Sequence, residues 1–133
     1  MEPVIVWYLR MSVLYFIGGA AIGLGMLFWP SEAGYYVSVH VHLNLLGFMS
    51  MMIYGVGYHI LPKFSGTHIY SPLIVKIQFW VANAGLVGMA ISWPFFNRGD
   101  SSFANSVLIL SAILSMLSAI LFAYNMLKTI KSA

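Results

Sequence analysis

Long apolar stretches, the prolines and caps that punctuate them, and a scarcity of charge predict an all-α polytopic membrane protein, a four-helix up-and-down transmembrane bundle. Of 133 residues, 61% are hydrophobic and 7% charged, and the mean hydropathy is +0.90. A soluble domain does not tolerate that composition. Crossing a hydrocarbon core takes about 20 apolar residues, and stretches at about 11–29, 37–61, 73–95 and 103–127 meet that length. Connections are short and no repeat is visible, so residues 1–133 are expected to form one domain.

The first stretch follows Glu2 and Arg10 and closes on Phe28-Trp29-Pro30 with no small-residue cleavage site, so it is expected to be a retained helix. Pro30, Pro62 and Pro94 are expected to stop the first three helices, because proline cannot donate to the helical ladder. Ser71-Pro72 offers an N-cap followed by proline at the first helical position, and Asp100-Ser101-Ser102 offers caps for the fourth helix.

Alternating helices put Arg10, Lys63, Lys76, Lys128 and Lys131 on one side and Arg98 on the other, with Glu32 and Asp100. By the positive-inside rule both termini are then cytoplasmic. Trp7 and Trp80 would lie at the inner interface, Trp29 and Trp93 at the outer one. The net charge of +3 comes from single cations at helix ends, which suit lipid phosphates and give no support to nucleic-acid binding. With no cysteine, disulfides, thiolate metal sites, iron–sulfur clusters and thiol nucleophiles are excluded. Gly19 and Gly23, and in the second helix Gly47, Gly55 and Gly57, allow close helix packing or room for a flat ligand or second protomer.

An ionisable side chain within a membrane span is a functional hypothesis by default, and His40 and His42 lie inside the second helix. If that helix starts near Val37, a rise of 1.5 Å per residue puts them roughly 5 to 8 Å from its outer end. Two residues apart means about 200° around the helix, so both cannot grip one small ion. His40 shares its stripe with Asn44, Gly47, Met51, Tyr54 and Tyr58 and is expected to face the bundle; His42, with Leu45, Leu46, Met49 and Ile53, is expected to face a partner helix or another subunit.

A neutral imidazole in apolar surroundings suits haem iron. Zinc would want three or four ligands, and Glu2, Glu32 and Asp100 all fall in termini or loops. His59 lies about 25 Å from His42 by helical rise, beside Lys63; it and His68 read as interfacial polar residues. Met49, Met51 and Met52 read as packing residues before copper(I) ligands. The metal candidates are His42 and His40, and the cofactor-binding set adds Asn44 and Arg98, the outer cation able to pair with a carboxylate.

The run His42-Leu43-Asn44-Leu45-Leu46-Gly47, continuing through Gly55-Val56-Gly57-Tyr58-His59-Ile60-Leu61-Pro62, resembles the second helix of subunit I in the haem–copper oxidase superfamily, closest to nitric oxide reductases and C-family oxidases. The resemblance implies that His42 is an axial ligand of a low-spin haem b near the outer face, and it agrees with the orientation above. It covers about 25 residues. The family's copper ligands and second haem ligand come from later helices that these four do not match, so oxygen or nitric oxide reduction at a binuclear centre is not expected, and no Asp or Glu falls within a span to relay protons.

The expectation is therefore a small b-type haem protein for electron transfer or binding of a diatomic gas such as NO or O2, with an electron-transfer partner in the first case. Its second axial ligand would be His40, His42 of another copy in a two-fold homo-oligomer, or none. Two other readings are carried: a non-enzymatic accessory or assembly subunit of a respiratory complex, and a small metal transporter.

Overall fold

The computed structural model of the protein describes residues 2–99 and 102–130. Within them, four helices are long and apolar enough to cross a membrane: α1 (Pro3–Phe28), α2 (Ala33–Phe64), α3 (Pro72–Arg98) and α4 (Ser102–Thr129). The expected fold class is the one observed. The proposed caps Asp100 and Ser101, and the cation Lys131, lie outside the described residues.

All four helices start before the bounds expected from hydropathy, by eight residues for α1 and four for α2. Pro3 begins α1 because a proline at the first turn loses no ladder bond. Pro62 and Pro94 do not stop α2 and α3; both lie inside helix. Each is within about a turn of its helix's end, where a proline costs one ladder bond and few residues follow it. Ser71 caps α3 as expected, accepting from the Ile74 amide, and Gly99 closes it in the left-handed conformation at φ 72°.

The chain crosses back and forth, so the end holding the start of α1 and the finish of α4 also holds Lys63 and Lys76, while Glu32 and Arg98 share the opposite end. There the Arg98 guanidinium pairs with Glu32 at 2.7 Å and lies over the Tyr35 ring at 4.7 Å. Asn97 adds a bond to the Tyr35 carbonyl at 3.1 Å, tying the start of α2 to the finish of α3.

Helix α1 packs along α2, α2 on α3, and α4 chiefly on α3. Lipid is as apolar as leucine, so close backbone approach and interhelical hydrogen bonds hold such helices together. At α3 and α4 the approach is closest: a Cβ on Gly85 would stand 2.9 Å from the Ser111 carbonyl oxygen and 2.6 Å from Ser115 Oγ. On the other side, a Cβ on Gly47 would meet Tyr15, and one on Gly55 would meet Leu9 and Tyr8.

An aromatic cluster of Tyr8, Tyr54, Tyr58, Phe79 and Phe122 fills the half of the bundle nearer the termini. Its polar tips cross between helices. Tyr8 donates to the Val75 carbonyl at 3.0 Å, Tyr15 to Asn83, and Tyr58 to Gln78. Asn125 clamps both backbone groups of Ser71, each at 3.0 Å. Leu14, Ile17, Leu24 and Leu27 of α1, and Ile109, Leu110, Ile113 and Met116 of α4, are left outward for lipid.

Candidate functional site around His40 and His42

Helix α2 is not uniform. Between Leu43 and Ser50 it widens into π-type turns, with regular α-helix on either side. Wider turns change which residues face inward: Val39, Leu43, Met51 and Gly55 are all buried, with Gly47, at a spacing of four instead of 3.6. Such turns strand backbone carbonyls, and short side chains collect them. Asn44 Nδ2 donates to the His40 carbonyl at 2.8 Å, and Ser50 Oγ to that of Leu45 at 3.0 Å. π-turns concentrate at functional sites, and here the two histidines immediately precede one.

His40 faces α1. Its Nδ1 lies 2.7 Å from the Gly19 carbonyl oxygen, and because a carbonyl only accepts, Nδ1 carries the proton. Gly23 makes the space for the ring: a Cβ there would stand 2.8 Å from His40 Cε1. Gly19 does the same for Asn44, whose Nδ2 would be 2.6 Å from an added Cβ. The Gly19/Gly23 pair thus receives side chains of the chain's own second helix, which is the bundle-packing use of those glycines.

His42 faces α3. Its Nδ1 donates to the Ser38 carbonyl at 2.7 Å, one turn back on its own helix, and its ring lies 5.8 Å from that of Trp93. In a neutral imidazole so held, the lone pair is on Nε2. Neither Nε2 is among the buried unpartnered atoms, and no hydrogen bond to either is found among the described residues. His42 therefore presents a fixed tautomer with its lone-pair nitrogen accessible at the α2–α3 edge and a backbone carbonyl behind the ring, an arrangement that would also suit a metal-bound histidine.

The depth follows from the full helix. His42 is nine residues from Ala33, about 14 Å along α2, and not the 5 to 8 Å expected from a start at Val37. At 32 residues, α2 is about 48 Å long and overreaches a hydrocarbon core of about 30 Å. Measured from the helix midpoint, His42 lies about 10 Å toward the Arg98 end, within that half of the core.

The candidates do not converge on one centre. His40 and His42 point to different neighbours, as their spacing requires, and no group of three or more His, Cys, Asp or Glu side chains able to hold a metal ion exists among the described residues. Asn44 locks the backbone of His40 and fills the notch at Gly19. Arg98 shares its charge with Glu32 at the same end. His59 is remote, with Nε2 3.0 Å from Lys63 Nζ.

Sequence reasoning missed Trp93 as the neighbour of His42, having set it in an interfacial belt. The tryptophan is half-buried, stacks edge-on with Phe96, and its indole N–H is buried with no partner. It also missed Ser38, whose contribution is a main-chain oxygen that no side-chain pattern reveals.

As to similarity, no family model matches the chain. Over 115 residues it is 30% identical to a cytochrome c oxidase subunit 1 homolog from Agrobacterium tumefaciens (strain T37), in a match that takes in 68% of this chain and 21% of that protein. The chain thus spans about a fifth of the length of that relative. No solved structure matches. Four apolar helices and this partial likeness fit a multi-pass membrane protein related to oxidase subunit I.

Proposed function

We propose that the protein is a small b-type haem protein of a bacterial inner membrane, with His42 as an axial ligand, serving electron transfer or the binding of a diatomic gas. The observation that carries this reading is the state of His42: its Nδ1 is spent on the Ser38 carbonyl, and its Nε2 is accessible at the α2–α3 edge. A porphyrin's flat apolar faces suit the side chains around it, with Leu45 and Met49 of α2 exposed below and the Trp93 ring alongside. Bound haem supplies a one-electron couple at its iron. The chain's own residues orient the imidazole, fix its tautomer and exclude water from that side.

His40 is turned to α1 and fits no role on the same iron, so a second ligand would come from another polypeptide, most simply His42 of a second copy. Arg98 could steady a propionate only while shared with Glu32. Both termini would be cytoplasmic, with the histidine end outside.

A second reading has a specific observation behind it. Both Nδ1 atoms already bond to backbone carbonyls and Arg98 is already paired, as in a purely structural subunit packed against a respiratory complex. Absorption spectra of detergent-solubilised protein separate the two. The haem reading expects a Soret band that His42→Ala abolishes and His40→Ala preserves, with no carbon monoxide shift if a second histidine ligates. Colourless protein from haem-replete cells favours the structural reading, and colourless protein carrying copper or zinc a transport role.

A further inference from the structure

Where α2, α3 and α4 meet, Leu46, Ser50, Tyr54, Ala82, Ser115 and Ser118 line a cavity of about 10 Å³. That is at the threshold for one water molecule and too small for any larger guest. Ser118 is 2% exposed, and its Oγ makes no hydrogen bond of normal geometry, with the Tyr54 phenol close by. Its hydroxyl, buried and without a water, would lose about 1–3 kcal/mol of solvation.

We propose that this cavity is a binding site for a single ordered water, which joins Ser118 of α4 to α2. The donors and acceptors balance. Ser50 Oγ spends its proton on the Leu45 carbonyl and Ser115 Oγ its own on the Ser111 carbonyl at 3.0 Å, so each has lone pairs left to accept from the water. Ser118 donates to the water oxygen. Three partners is the usual complement of a buried water. The site matters because α4 otherwise meets the middle of α2 mainly through the ring of Phe122 against Tyr54 and Tyr58. Nothing in the proposal depends on haem.

The test is water-to-protein magnetisation transfer in isotope-labelled protein in lipid vesicles, together with the melting temperature of Ser118→Ala in detergent. A wet site gives a water cross-peak at Ser118 in the wild type and a lower melting temperature for the variant, which leaves the water short of a partner. A dry site gives no cross-peak, and Ser118→Ala then melts at the same or a higher temperature because it removes an orphan hydroxyl. Either of those results overturns the proposal, and the wild-type spectrum decides it should the variant fail to fold.

Discussion

At Gly23 the function of a residue is to be absent. The ring of His40 occupies the place of its side chain, so Gly23→Ala would put a Cβ 2.8 Å from Cε1 and push the imidazole off the Gly19 carbonyl. Overpacking of this kind costs about 1–3 kcal/mol, and the variant should melt several degrees below wild type. Two residues on, a Cβ at Gly25 meets nothing within 4 Å. Gly25→Ala should leave stability unchanged or raise it by about 0.5–1 kcal/mol, the helix-propensity gain. Thermal melts of the two variants in one detergent check the pair; equal effects would show that His40 is not packed on Gly23. At Arg98 the expectation is small: the pair with Glu32 is open to solvent, so Glu32→Gln should barely move the melting temperature, and less again in high salt.

The elements divide into what hydropathy reveals and what it hides. The four spans were legible because about 20 apolar residues in a row have few other uses, and the Ser71-Pro72 start of α3 was legible because cap and proline chemistry is local. The ends were not. Pro62 and Pro94 lie inside their helices because a proline in the final turns sacrifices a single bond, and helix can continue past it. The widened turns of Leu43–Ser50 left no compositional mark, since they depend on where Asn44 and Ser50 send their protons. Opposite faces for His40 and His42 did follow from spacing, but Trp93 as a neighbour of His42 depends on how α3 is turned, which one helix's pattern does not contain. Gly85 went unremarked for the same reason: its use is set by Ser111 and Ser115 on another helix. Gly85→Ala should loosen α4 from α3 and cost about 1–3 kcal/mol, because one of the atoms in the way is backbone and does not swing aside. Limited proteolysis at the α3–α4 connection, faster in the variant at equal temperature, would register it.

On the scale of the molecule, polar chemistry is sorted by level. The termini end holds the tyrosine, glutamine and asparagine bonds that fasten helices to one another, and the opposite half holds two imidazoles with fixed tautomers and no convergent partner. On the proposed reading, one bundle of four helices would offer one ligand to a haem at the α2–α3 edge, and a six-coordinate iron would need a second chain. That arrangement predicts one haem for every two chains, whereas a five-coordinate gas-binding site predicts one per chain and a carbon monoxide shift.

The most direct measurement is haem per chain by pyridine hemochrome, made on purified wild type and on His42→Ala from the same haem-replete cells. Wild type should carry between half and one haem b per chain, and the variant close to none, with helical content unchanged by circular dichroism. Equal haem in the two preparations, or none in either, would contradict the assignment of His42.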